Sequence, residues 1–430
     1  MSPLTRARLV LWIAMVAIQV CLFGEYHISL RASKRDTLLS LPSPSSRGCE
    51  YFKAKVPLPT NYSTTEFQDL SPNSGIQYDQ LKLHMPSVYK NVNYTLAHQV
   101  ARPFPSWRHP FPCFPTEPDW YTIKRQKQPS KQGFFYFKAR KAGSSTVAGV
   151  ALRIARAKAK QIGLATTSAN ATHCHTRYGH PAAHRLKYYQ RDRLHSFLWS
   201  IIREPTKRDV SEFFHFGVSR GAKMSPSRQS FQSYHEYNPL MHEYYLQFMS
   251  TDRAYKMERD DYIQSVAKIM SDYDFIGITE RMHESLVALQ LVLNLTTSDI
   301  LFLSAKTSGG WDDGLSEGQC FYIRPPVVSP QLQQYFQSDD WMQKTQGGNL
   351  LYAAVNRSLD LTISSFDQTV FQKQLTKYKW ALKEAHLRCV NKVKFPCSAG
   401  GILQERHDCL LWDSGCGYDC LDQVAEELGL

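Results

Sequence analysis

Lys141, Gly143, Ser144, Ser145 and Thr146 stand directly after an apolar run, Phe134-Phe-Tyr-Phe137, with Ala142 the one inert residue among them. A cation, a glycine and three hydroxyls where a strand turns into a helix are the parts of an anion cradle. The helix start offers backbone N–H groups and the positive end of its dipole, and the hydroxyls add further donors. The competing assignment is an ordinary capped helix beside a surface lysine. Further along, Phe197-Leu-Trp-Ser-Ile-Ile202 runs into Arg203, and Ser211 follows eight residues later. Two such tips in one chain fit a ligand that carries phosphates at two places. The pattern G-x-x-x-x-G-K-[ST] is absent, because Lys141 precedes Gly143, and no G-x-G-x-x-G follows a strand.

Between the two tips lie His173, His175, His180 and His184, with His180 in Arg177-Tyr-Gly-His-Pro181. An imidazole titrates near neutral pH and is the commonest general base, although a surface or structural imidazole is the simpler assignment for each. Four histidines also invite a metal reading. No carboxylate ligand pattern accompanies them, so no metal is expected.

Three segments in order, Lys141-Ala-Gly-Ser-Ser-Thr146, Arg203-Glu-Pro205 with Ser211, and Tyr273-Asp-Phe-Ile-Gly-Ile-Thr-Glu-Arg281 with Glu284-Ser-Leu286, resemble the sulfotransferase superfamily. The nearest likeness is to Golgi membrane-bound carbohydrate sulfotransferases of the uronyl 2-O and galactose 3-O kind, and it spans Gly133 to Phe366. The resemblance implies a P-loop-NTPase-like fold and the sulfuryl donor 3′-phosphoadenosine-5′-phosphosulfate as co-substrate. It assigns Lys141, Ala142, Gly143, Ser144, Ser145 and Thr146 to the donor's 5′-phosphate, and Arg203 and Ser211 to its 3′-phosphate. His180 matches the family's catalytic histidine in position, with His175, His184 and Glu280 as rivals. Ala142 replaces a commoner threonine and Glu204 a usual aspartate. The implied reaction is in-line transfer of a sulfuryl group to a hydroxyl of a glycan, with Lys141 and His180 catalytic. Tyrosine sulfation of proteins, or a non-catalytic lumenal glycan- or nucleotide-binding protein, are the alternatives.

These residues need a scaffold that brings strand ends together. Phe134–Lys138, Phe197–Ile202 and Phe275–Thr279 are continuous apolar runs of strand length. Helical patterns follow at Ser145–Ile162, Lys207–Phe216 and His283–Leu293. Unbroken apolar strands alternating with helices predict an α/β fold, a parallel sheet flanked by helices. Ligands of such sheets bind beyond the carboxyl ends of the strands, where Lys141 and Arg203 both fall.

The flanks speak to location. Leu9 to Gly24 is apolar apart from Gln19, follows Arg6 and Arg8, and lacks a small-residue cleavage site. It reads as an uncleaved signal anchor after a cytoplasmic tail at 1–8, with a cleaved signal peptide as competitor. Five of the ten asparagines lie in N-x-[ST] sequons, Asn61, Asn93, Asn170, Asn294 and Asn356. That density points to the secretory lumen, hence a single-pass type II Golgi membrane protein. Residues 25–129 form a stem and N-terminal wrap, holding 13 of the 22 prolines. The aromatic clusters around Trp107 and Phe111 mark its second half as packed on the catalytic body.

A catalytic domain over 130–385 and a Cys-rich extension over 386–430 complete the division. Nine cysteines follow Cys21, and Cys389, Cys397, Cys409, Cys416 and Cys420 crowd the end, expected as disulfides of undetermined connectivity. Zinc is the lesser alternative for the tail. The net charge of +13 fits an anionic donor and an acidic glycan. Nucleic acid is excluded by lumenal topology rather than by charge. Lys124 to Lys131 and the run Arg153, Arg156, Lys158 and Lys160 form the densest basic stretches, either glycan-facing or a solvated helix face. The resemblance leaves a homo-oligomer open.

Overall fold

Why the chain folds as it does is clearest in its strands. In the computed structural model, β1 (Gly133–Phe137) and β3 (Ser196–Ile202) are buried along their whole length. Both faces of these strands are therefore covered, as a parallel sheet between helices requires. The structure describes residues 94–113, 131–163, 174, 176–220, 224–238, 241, 243–251, 262–304, 306–313, 319–411 and 414–430. All of them belong to one unit, Leu70–Leu430.

The central sheet has four strands in the order β2-β1-β3-β4, where β2 is Thr176–Gly179 and β4 is Phe275–Ile278. Every pairing is parallel, with Phe137 opposite Gly179 and Ser200, and Ile202 opposite Ile278. The chain leaves β1 for β2 on one side and then crosses back to β3 on the other. That reversal opens a crevice at the carboxyl ends of β1 and β3. The three strands expected from apolar runs are present within one residue at each end. β2, which no apolar run marks, is the addition.

In chain order the helices are α1 (Tyr94–Val100), α2 (Ser144–Gln161), α3 (Pro205–Glu212), α4 (Arg228–Tyr237), α5 (Tyr244–Met249), α6 (Tyr262–Asp272) and α7 (Met282–Val292). Then follow α8 (Pro330–Tyr335), α9 (Asp339–Lys344), α10 (Gln346–Ser365), α11 (Gln368–Cys389) and α12 (Tyr418–Glu427). Helix α3 runs directly into a π-helical turn, Phe213–Ser219. Two short hairpins, β5 (Trp311–Asp312) with β6 (Phe321–Tyr322) and β7 (Cys409–Leu411) with β8 (Ser414–Cys416), lie outside the main sheet.

The wrap packs where its aromatics predict. Phe104 lies 5.2 Å from Phe275, Trp107 5.4 Å from Phe197 and Phe111 5.2 Å from Phe134, measured between ring centres. Phe104, fully buried, contributes roughly 1.5–3 kcal/mol by leaving water, and the half-buried Trp107 and Phe111 contribute less. Cys113–Cys174 then fastens the wrap to the segment just before β2.

Cys320–Cys397, Cys389–Cys420 and Cys409–Cys416 pair the remaining described cysteines. All five tail thiols are thus consumed in disulfides, which leaves none for zinc. The tail also folds back onto the body. Tyr418 Oη donates to the Gly149 carbonyl at 2.8 Å, and Arg153 pairs with Asp422 at 2.7 Å. Arg153 is buried and Arg156 reaches Asp419, so both cations contact α12.

Among the described residues no helix is long and apolar enough to cross a membrane. The expected tail at 1–8, anchor at 9–24 and first part of the wrap lie outside the described residues. The sequon at Asn356 sits inside α10, where Asn356 Oδ1 accepts from Arg281 and Ser358 is buried. Asn294, by contrast, is exposed just after α7.

Candidate functional site

The carboxyl edge of the sheet carries, in spatial order, His180 after β2, Lys141 after β1, Arg203 after β3 and Glu280 after β4. Each sits within four residues of its strand end. Three of these residues were legible from apolar runs, but their order depends on β2. His173 and His175 lie outside the described residues, and His184 is half-buried in the turns that follow His180.

The first tip is shaped by backbone. Lys141 adopts φ +59° and Gly143 φ +68°. Left-handed backbone is natural for glycine but strained for lysine, and such strain concentrates at functional sites. A Cβ on Gly143 would meet Met282 Cε at 3.2 Å and Thr279 Cγ2 at 3.6 Å. The left-handed backbone favours glycine at this position, while the Cβ contacts alone would be tolerable. Helix α2 opens at Ser144 with no side chain capping it, and a helix start of this kind is where anions bind. Ser144 and Thr146 are buried and Ser145 is half-buried at this start.

Burial lowers the Lys141 ammonium from its ordinary value to about 8. Glu212 and Asp312 oppose that shift, while Arg203 and Lys306 reinforce it. A phosphate beside Lys141 would favour its charged form.

The second tip adjoins the first. Arg203 Nη1 donates to the Lys141 carbonyl at 3.4 Å, so the two cations belong to one crevice. Glu204 caps α3, accepting from Thr206 N at 3.0 Å and Lys207 N at 2.8 Å. The glutamate thus does the work expected of an aspartate. Ser211 lies in the last turn of α3 and is half-buried.

Several residues that fix this geometry escaped the sequence reading. Thr279 Oγ1 donates to the carbonyls of Ala142 at 2.9 Å and Ile202 at 3.0 Å, clipping the two tips together. Tyr244 Oη accepts from Arg140 N, while Tyr245 Oη accepts from Arg203 N and donates to Arg203 O. Both tyrosines lie in the first turn of α5, and Arg208 stacks over the Tyr244 ring at 4.2 Å. A tyrosine pair preceding a buried apolar stretch carries no sequence mark of such a role.

Glu280 is committed to structure. It accepts from Glu204 N at 3.2 Å and Tyr352 Oη at 3.3 Å, and lies 3.9 Å from Arg203 Nε. His180 is half-buried, with Nδ1 2.8 Å from the Lys138 carbonyl. A carbonyl only accepts, so Nδ1 carries the hydrogen and Nε2 keeps its lone pair. That tautomer is the one a base needs. Among the described residues no group of three or more His, Cys, Asp or Glu is placed to hold a metal ion.

Comparison of the chain with protein-family models, curated proteins and solved structures returns no match.

Proposed function

We propose that this protein is a sulfotransferase of the Golgi lumen that moves a sulfuryl group from 3′-phosphoadenosine-5′-phosphosulfate to a hydroxyl of a glycan. The observation that carries the reading is the adjacency of the two cationic tips at the sheet's switch point. Lys141 and Arg203 stand on neighbouring parallel strands and touch through the 3.4 Å hydrogen bond between them. The donor holds phosphates at both ends of one ribose, so a single molecule can engage both tips.

The residues present fit that substrate. The uncapped start of α2 and the left-handed Gly143 form a cradle for the 5′-phosphate. Arg203 at the end of β3, with Ser211 on the helix that follows, takes the 3′-phosphate, for which a planar guanidinium is well suited. Lys141 faces the bridging oxygen on which negative charge grows as the sulfur–oxygen bond breaks. His180 Nε2 accepts the hydroxyl proton as the acceptor oxygen bonds to sulfur. The proton ends on the imidazole, and the bond electrons leave with the phosphate oxygen. The likeness to a P-loop-type sulfotransferase fold rests on the same two tips and belongs to this proposal, as does the type II membrane anchor.

The test is calorimetry with 3′-phosphoadenosine-5′-phosphate, the desulfated product, across pH. Lys141 is charged below about 8 and loses its proton above it. Affinity is therefore expected to be highest near neutrality and to fall roughly tenfold between pH 7 and pH 9, as one-proton linkage requires. No binding at neutral pH, or an affinity flat across that range, contradicts the assignment of Lys141 to the phosphate.

A further inference from the structure

Beside Lys141 lies a buried polar group that the donor does not use. It joins the π-helical turn Phe213–Ser219, which supplies His215, to hairpin strand β5 and its flanks, with Lys306 in the loop before the strand, Asp312 on it and Asp313 just after it. His215 Nε2 lies 3.2 Å from Asp312 Oδ2. Lys306 Nζ reaches Asp312 Oδ1 and Asp313 Oδ1, each at 2.6 Å. His215 is 7% exposed, Asp312 3% and Asp313 4%. The charges of Lys141 and Asp312 both act on His215, and that of Asp312 acts on Lys141 in turn. These groups therefore share one neighbourhood with the reacting end of the donor site.

Two atoms in this group stand out. Among the described residues neither His215 Nδ1 nor Asp313 Oδ2 has a hydrogen-bond partner, although both are buried. Orphaned buried polar atoms of this kind are uncommon and ask for a reason. Burial would raise Asp312, but the hydrogen bond from His215 and the Lys306 ammonium outweigh it and hold its carboxyl well below the usual range. Asp312 is therefore an ionised acceptor, and His215 Nε2 must donate to it. The remaining lone pair falls on Nδ1, so that atom can only accept. A π-helical turn is costly and is found mostly at functional sites. Here it begins directly after α3, which carries Ser211.

We infer that His215 Nδ1 and Asp313 Oδ2 form the acceptor subsite, hydrogen-bonding to neighbouring free hydroxyls of an uncharged sugar face. This deepens the proposed function and rests on its placing of the donor at Lys141. Burial and the neighbouring Asp312 carboxylate push the Asp313 carboxyl up, so Oδ2 accepts when ionised and donates when protonated, whereas His215 Nδ1 only accepts. A hydroxyl both donates and accepts, and a polyol supplies several of them on one rigid ring beside the reacting centre. A carboxylate or sulfate has no proton to give to the His215 Nδ1 lone pair and would meet the ionised Asp312, so an acidic sugar unit is disfavoured there. A site built to hydrogen-bond hydroxyls discriminates strongly against analogues lacking them. His215 and Asp313 thus set acceptor choice, while His180 keeps the role of base.

The experiment is ligand-observed NMR titration of the protein saturated with 3′-phosphoadenosine-5′-phosphate. The probes are four uncharged benzyl glycosides (β-galactoside, β-glucoside, N-acetyl-β-glucosaminide and α-mannoside) and benzyl β-glucuronide. At least one uncharged glycoside is expected to bind at least tenfold more tightly than the glucuronide. His215→Gln keeps an N–H toward Asp312 while removing the Nδ1 acceptor, and Asp313→Asn replaces one carboxylate oxygen by a donor. Each is expected to weaken the bound glycoside at least tenfold and leave nucleotide affinity within about twofold. In turnover the same variants raise the acceptor KM more than they lower kcat.

Binding of no uncharged glycoside, equal binding of the glucuronide, or wild-type glycoside affinity in both variants overturns the inference. A loss confined to kcat also overturns it, because it makes His215 part of the proton transfer. Calorimetry on the same samples separates the two levels. If the nucleotide itself fails to bind wild-type protein, the donor reading falls; if it binds and the glycosides behave otherwise than stated, only the subsite does.

Discussion

Lys141→Ala is expected to lower sulfuryl transfer by ~10³-fold, about 4 kcal/mol of transition-state stabilisation. Labelled sulfate carried from the donor to a glycan panel measures it. The amine is the cation at the β1 tip, lowered by burial and balanced by Glu212 and Asp312. Charge that develops on the leaving oxygen would otherwise meet only backbone N–H groups. Alanine keeps the Cβ, so the cost of the φ +59° backbone is the same in both proteins. The loss should therefore appear in kcat without a matching loss of thermal stability. Transfer within threefold of wild type would remove Lys141 from the reaction.

His180→Ala is expected to lower kcat by ~10²-fold or more, with affinity for the desulfated nucleotide unchanged. A sugar hydroxyl is a poor nucleophile until its proton is taken, and the Lys138 carbonyl holds the proposed base in the right tautomer. Paired measurements of turnover and calorimetry separate the two roles. Should the variant turn over at the wild-type rate, the proton must go elsewhere. His184 is then the nearest described imidazole in sequence, while Glu280 is already engaged by Glu204 N and Tyr352.

Much of the scaffold could be read before any coordinates. Phe134–Phe137, Phe197–Ile202 and Phe275–Ile278 are strands because nothing polar except Ser200 interrupts them, and Ser200 satisfies itself on the Phe137 carbonyl at 2.9 Å. Strand β2 was not legible. Thr176-Arg-Tyr-Gly179 is short and polar at an edge of the sheet, where only one neighbour and one set of ladder bonds define it. Yet β2 is what carries His180 to the crevice, so the order of the four tips needed the structure.

The same limit applies to long-range partners. The Thr279 clip, the Tyr244–Tyr245 pair and the His215–Asp312–Lys306 group each join segments far apart in sequence, and no local pattern encodes such contacts. Arg153 illustrates the converse. Its neighbours Arg156, Lys158 and Lys160 gave it the look of an exposed basic face, but the fold buries it against Ser298, Tyr418 and Asp422. The disulfides follow the same logic: five clustered tail cysteines announced crosslinks, while Cys320–Cys397 reaches outside the cluster across 77 residues.

The central claim is that one nucleotide is gripped by both tips at once, and a crystal structure of the protein with 3′-phosphoadenosine-5′-phosphate addresses it most directly. The account predicts the 5′-phosphate within hydrogen-bond distance of Lys141 Nζ and the N–H groups of residues 143–146, and the 3′-phosphate against Arg203 and Ser211. A nucleotide bound elsewhere, or touching one tip while the other faces away, would contradict it.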